Sequence, residues 1–215
     1  MTEAVKVDAG APGSWDASAV DRGAEVLADG EILGHPTGTV YGLGAGPVRL
    51  DEEIRRLKGR DGKTPLLRLG PDIETILRSH PRLEWGERAG RLAEAFWPGA
   101  LTLVLPDGTP SGLGVRVEGH PLTRRVLEAH GGTMSSTSLN RTGRPPARTP
   151  RDVEEALAEM PASAVAVTWL DAGDLPGAPP STVVSLRDAG PRLLRAGAVA
   201  PDGIERCLGE EMSRG

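Results

Sequence analysis

The sequence predicts an α/β domain built on a mixed, twisted β-sheet flanked by helices. Three observations carry that expectation. Short apolar runs of strand length and longer segments of helical periodicity are mixed along the whole chain. Their order is not a plain strand–helix alternation, which argues for a mixed sheet over a doubly wound one. The 215 residues show no internal repeat and no low-complexity block, and with 38% apolar and 26% charged residues they can bury a substantial core. The net charge of −5 gives no global attraction to nucleic acid or to an anionic membrane. No apolar run approaches a membrane span. The N-terminus, MTEAVKVDAG, lacks the basic-then-apolar order of a signal peptide, so a soluble cytoplasmic protein is expected. Cys207 is the only cysteine, which leaves no internal disulfide and no cysteine-based zinc site. His35, His80, His120 and His130 show no ligand spacing, so no metal site is expected either.

Residues 1–15 read as a short strand and loop. From Asp16, apolar Ala17, Val20, Ala24 and Leu27 recur at helical spacing, and Gly30 stops them. The stretch Ile32–Gly46, ILGHPTGTVYGLGAG, has an unusual order for a core element. A strand over Glu31–His35 breaks at Pro36, which has no donor. Thr37, Gly38 and Thr39 follow as small hydrogen-bonding groups, and Val40-Tyr41 resume an extended pattern. Glycines at 42, 44 and 46 let something approach the backbone closely. A ligand is expected to lie against this segment.

Asp51 is expected to cap a helix carrying Glu52 and Glu53 in its first turn and ending at Lys58-Gly59-Arg60. Pro65–Leu69 reads as a strand and Asp72–Ser79 as a helix. A long helix is expected over Arg82–Phe96, with Trp85, Ala89, Leu92, Ala93 and Phe96 inward, and Trp97-Pro98-Gly99 turns the chain. Strands are expected at Leu101–Leu105, Gly114–Val117, Thr133–Thr137, Ala164–Leu170, Thr182–Leu186 and Arg192–Arg195. Helices are expected at Pro121–Ala129, after the Thr149-Pro150 start, and at Pro201–Leu208.

Two phosphate signatures fail. Gly62-Lys63-Thr64 resembles the end of a P-loop, but Leu57 stands where its first glycine belongs. Gly42-Leu43-Gly44-Ala45-Gly46 is not the dinucleotide fingerprint. What remains is a set of polar residues at element ends. Lys58 and Arg60 leave a helix, and lysine is scarce here, with Lys6 and Lys63 the only others. Ser138 and Asn140 leave a strand, two apart and so on one side. Arg116 lies inside an apolar strand and Arg195 at the end of another. A triphosphate needs such a set: guanidinium forks, an ammonium point charge and short polar side chains. Each pair alone has a plainer reading, as a solvated helix end, a turn or an ion pair.

In order along the chain, the motifs resemble those of the YrdC/Sua5 family, the threonylcarbamoyl-AMP synthases. The pattern PT-x-TVYGLG appears as Pro36–Gly44, K-x-R as Lys58-Gly59-Arg60 and WPGxLT as Trp97–Thr102. A VRxP-like segment appears as Val115–Pro121, S-x-N…GRP as Ser138–Pro145, the ST-hydrophobic strand as Ser181–Val184 and LLRxGA as Leu193–Ala198. The matches span about residues 16–208. They imply a single YrdC-like domain with a central ligand cavity, a tail at 209–215, and no extra C-terminal domain of the longer Sua5 form. The implied reaction joins L-threonine, bicarbonate and ATP into threonylcarbamoyl-AMP and pyrophosphate, for N6-threonylcarbamoyladenosine in tRNA. By the resemblance, Lys58, Arg60, Ser138 and Asn140 form a catalytic tetrad on the nucleotide phosphates. Thr64, Ser136 and Arg195 join Arg60, Ser138 and Asn140 in binding ATP. Thr39, Arg116 and Ser181 bind threonine. Mg²⁺ arrives with ATP, and the product goes to tRNA threonylcarbamoyl-transfer proteins.

Three departures stand out: Gly38 where many members are acidic, Leu69 near a threonine-contacting histidine of some members, and Leu139 where alanine is usual. Leu139 is expected to narrow the pocket. These departures keep open a YciO-type relative or a carbamoyl-adenylate enzyme with another acceptor. Arg141, Arg144, Arg148 and Arg151 are expected to line one rim of a groove, which gives a further alternative: an RNA-binding module without synthase activity.

Overall fold

A computed structural model describes residues 2–11, 13–60 and 66–214. The strands are β1 (Ala4–Asp8), β2 (Ile32–His35), β3 (Gly42–Gly44), β4 (Leu67–Gly70), β5 (Leu101–Leu105), β6 (Leu113–Val117), β7 (Met134–Ser138), β8 (Val167–Asp171), β9 (Thr182–Ser185), β10 (Arg192–Arg195) and β11 (Ser213–Arg214). The helices are α1 (Ala17–Ala28), α2 (Asp51–Lys58), α3 (Ile73–Ser79), α4 (Glu87–Phe96), α5 (Pro121–His130), α6 (Pro150–Glu159) and α7 (Pro201–Leu208). The strands form one sheet in the order β1-β8-β2-β3-β7-β4-β6-β5-β9-β10-β11. Parallel and antiparallel ladders are mixed through it, as the element order predicts.

β7 is the hinge of this sheet. Its last residues, Thr137 and Ser138, pair with β3, while Met134–Ser136 pair with β4. The strand therefore links the β1-β8-β2-β3 side of the sheet to the side that runs from β4 to β11. Helices bury three apolar clusters against the two halves. Tyr41, Trp169, Leu139 and Leu57 belong to one, α1 and α5 close a second over Leu33 and Leu69, and Leu92, Leu103, Val184 and Ile204 belong to the third.

Local chemistry explains several helix ends. Asp16 and Asp72 accept from the backbone N–H groups of Ser18 and Thr75 and so cap α1 and α3. Thr149 and Asp152 form a reciprocal capping box at α6. Gly59 takes φ 60 to end α2, which lets the chain turn sharply between Lys58 and Arg60.

Three expectations need correction. Asp51 is the first residue of α2 and does not cap it; the cap position is Leu50, and Asp51 is buried in an ion pair with Arg68 at 2.6 Å. The helix expected from Arg82 begins at Glu87, because the Glu84 N–H is drawn to the Pro106 carbonyl and Gly86 sets the start. The tail beyond 208 contributes β11, which pairs with β10.

Candidate active site

A cavity of about 940 Å³ opens where β7 joins the two halves of the sheet. Its polar lining includes Thr37, Thr39, Arg60, Thr102, Arg116, Ser136, Ser138, Ser181 and Arg195. Leu67, Val104, Val183 and Leu194 add an apolar wall. Seven of the sequence-predicted residues thus meet at one space: Thr39, Arg60, Arg116, Ser136, Ser138, Ser181 and Arg195. Thr64 lies outside the described residues.

Lys58 and Asn140 stand behind the wall. The Lys58 ammonium, at the buried end of α2, donates to the Ser138 carbonyl, to Asn140 O at 2.9 Å and to Asn140 Oδ1 at 2.9 Å, and approaches Ser138 Oγ at 3.4 Å. Ser138 Oγ donates to Asn140 Oδ1 at 2.6 Å, and Asn140 Nδ2 donates to the carbonyls of Arg141 and Arg144. The carbonyl of Asn140 and both polar atoms of its side chain are thus engaged. Burial, then the nearby Arg60 charge, lowers the Lys58 pKa to about 8. Arg60 itself lines the cavity, and its side chain has no polar partner among the described residues.

The far wall is built differently. Arg195 donates from Nε to Ser181 O at 3.0 Å and from Nη2 to Ser181 Oγ at 3.1 Å. Ser181 Oγ lies 3.0 Å from Thr102 Oγ1. Burial and the neighbouring Arg116 charge push the Arg195 pKa down. Arg116 forms an ion pair with Glu118 at 2.5 Å, so the plainer reading of that arginine also holds. Its Nε is buried without a partner among the described residues. Thr39 is held through Thr37, 3.1 Å between hydroxyl oxygens.

Two buried residues went unread in the sequence. His35 places Nδ1 3.3 Å from Pro36 O and Nε2 3.1 Å from Ser136 Oγ. Burial lowers its pKa to about 4, so the ring is neutral near pH 7. A neutral ring that donates to the carbonyl from Nδ1 accepts a hydrogen bond from the Ser136 hydroxyl at Nε2. A Cβ on Gly42 would sit 2.6 Å from that Nε2, and one on Gly44 would sit 2.0 Å from Ser135 O. At these glycines the groups that approach the backbone are His35 and Ser135 of the protein itself. Glu118 is the second residue, and only its polarity at the end of an apolar strand could have marked it. Leu139 does not narrow the pocket: it is fully buried among Tyr41, Trp169 and their neighbours. Leu69 likewise packs in the cluster under α1 and α5.

A family model described as "Telomere recombination", that of the Sua5, YciO and YrdC proteins, matches residues 25–197. The chain belongs to this family. A threonylcarbamoyl-AMP synthase of Chromohalobacter salexigens is 39% identical over 183 residues, 78% of this chain and 94% of that protein. One of Bacillus subtilis is 31% identical over 88% of this chain but only 56% of its own length. The structure of P. abyssi Sua5 complexed with L-threonine matches all of this chain and 63% of that one, with 27% identity and a TM-score of 0.81. The chain thus spans the greater part of one Sua5/YrdC relative and under two thirds of the other two.

Proposed function

We propose that the protein is an L-threonylcarbamoyladenylate synthase. The observation that carries this reading is the convergence of Arg60, Ser138, Arg116, Ser181 and Arg195 on one cavity in a chain 39% identical to a threonylcarbamoyl-AMP synthase. In this reaction a carbamate oxygen, made from the threonine amine and bicarbonate, attacks the α-phosphorus of ATP. The bond to the bridging oxygen breaks and pyrophosphate leaves. Such a transfer depends mainly on positioning and charge stabilisation, and little on covalent help from the protein.

The roles follow from what each group leaves open. Arg60 supplies a guanidinium to the phosphates, and Ser138 holds them at the wall. Lys58 and Asn140 act behind it, fixing Ser138 and the chain after β7. Arg195, with Ser136, completes the nucleotide end. Arg116, Thr39 and Ser181 receive the amino acid, whose carboxylate suits the Arg116 fork. Among the described residues no three His, Cys, Asp or Glu side chains are grouped to hold a metal. The protein donors here do not fit a resident ion, and we propose that Mg²⁺ enters only as part of the ATP substrate. The product would pass to tRNA threonylcarbamoyl-transfer proteins in the cytoplasm. No helix among the described residues is long and apolar enough to cross a membrane.

The basic rim favours this enzyme over an RNA-binding module. Arg144 pairs with Glu159 and Arg151 with Glu155, while Arg141 and Arg148 donate to the Glu159 and Pro176 carbonyls. Two of the four rim charges are paired with carboxylates within the chain, and the other two guanidiniums are tied to backbone carbonyls. The test is pyrophosphate release by the purified protein with ATP, Mg²⁺ and bicarbonate, adding one amino acid at a time. Release with threonine alone, or threonine far above the rest, is expected. Release that ignores the amino acid would reject the synthase reading, and a different preferred amino acid would move it to another acceptor.

A further inference from the structure

Glu118 has no place in the reaction as laid out above. It is 1% exposed, yet its carboxylate gathers four donors. Oε2 accepts from Arg116 Nη2 at 2.5 Å. Oε1 accepts from the backbone N–H groups of Gly38 at 3.3 Å, Gly119 at 2.9 Å and His120 at 3.0 Å. Burial pushes this carboxyl up, but Arg116 and the backbone donors outweigh it and hold it below the usual range, so it is charged.

These donors come from two segments 80 residues apart. One is the end of β6 with Arg116. The other is the turn Pro36–Val40, where the Thr37 hydroxyl donates to Val40 O at 2.6 Å and accepts from the N–H groups of Thr39 and Val40. Thr39 and Arg116 both line the cavity. Among the described residues Arg116 Nε has no partner, and the hydrogen bond that holds the guanidinium is the one to Glu118. A guanidinium offers five N–H donors in a rigid plane, and the carboxylate anchors one of them.

We propose that Glu118 is a positioning residue for the amino-acid end of the cavity. One buried carboxylate sets Arg116 and the Thr39 turn in register with each other. The cavity then takes a small α-amino acid by its carboxylate and its side chain together. This inference rests on the amino-acid reading of the site given above. Were Glu118 merely a counter-charge to Arg116, its removal would free Arg116 for the ligand and tighten binding.

The experiment is steady-state pyrophosphate release by the full chain, titrating threonine and ATP separately, for wild type, Glu118→Gln and Glu118→Asp. Glutamine keeps an oxygen for the backbone donors but loses the charged partner of Arg116. Aspartate keeps the charge and shortens the reach. Glu118→Gln is expected to raise the threonine KM about tenfold with the ATP KM within about twofold, and Glu118→Asp to fall between it and wild type. A threonine KM that stays level or falls overturns the proposal, and so does an equal rise for ATP, which marks a general structural role. Where Glu118→Gln does not fold, Glu118→Asp decides by the same threonine-against-ATP split. A wild-type chain that neither turns over nor binds threonine by calorimetry fails the underlying reading and takes this inference with it. A working wild type matched by the variants overturns the inference alone.

Discussion

Two polar clusters flank the cavity, and they differ in what they leave unsatisfied. Behind β7, Lys58, Ser138 and Asn140 close on one another, so that the Lys58 ammonium and the Asn140 amide spend their hydrogen bonds inside the protein. Across the cavity, Arg116 and Arg195 are each anchored by one neighbouring residue and still line the open space. A self-satisfied cluster is rigid and positions what stands in front of it. Anchored guanidiniums with donors to spare are suited to a ligand. Membership of one sequence motif therefore does not mean a shared role: Arg60 faces the cavity, while Lys58, two residues earlier, supports the opposite strand.

The largest effect that sharpens this contrast is expected at Lys58. Lys58→Ala orphans buried oxygens of Ser138 and Asn140 and loosens the wall, so kcat should fall about 10²-fold or more in steady-state assays. The KM values should change little. A variant with kcat near wild type would show that the cluster behind β7 positions nothing.

Next come the two arginines. Arg116→Ala should raise the threonine KM by about tenfold to a hundredfold, and Arg195→Ala should raise the ATP KM by a similar factor, since hydrogen bonds to charged groups are among the strong ones. Measuring both KM values for both variants checks the division. Equal effects on both substrates in both variants would erase the boundary within that wall.

A smaller effect is expected from pH. The Lys58 pKa is lowered to about 8, so the group is charged below that value and loses its proton as pH rises through it. A neutral amine has fewer donors for the same acceptors, and kcat should drop about twofold at its pKa and further above it. In stability the sign is opposite. The cost of keeping the buried ammonium is fully present below about pH 8 and is relieved as pH rises toward the unfolded value. A kcat profile flat through that range would break the link between the ammonium and the wall.

Much of this arrangement was legible in the chain because local rules governed it. The break at Pro36, the glycines at 42 and 44, the end of α2 at Gly59 and the cap at Thr149 all follow from the chemistry of a few adjacent residues. The strand spacing of Ser138 and Asn140 also placed them near one another. What escaped depends on which strands become neighbours. Asp51 reads as a cap until Arg68, 17 residues on, arrives beside it. His35 meets Ser136, and Gly38 meets Glu118, only through pairings fixed by β7 and β6. Leu139 alternates into the core while its neighbours 138 and 140 turn the other way, which a one-residue reading of pocket width does not capture.

In the proposed reaction the cavity joins a carbamate made from an amino acid to the α-phosphate of ATP. The most direct measurement is mass analysis of the product formed from ATP, threonine and carbon-13 bicarbonate by the wild-type chain. A threonylcarbamoyl adenylate that carries the heavy carbon is expected, together with pyrophosphate. An adenylate of threonine without the label, or ADP and phosphate in place of pyrophosphate, would contradict it.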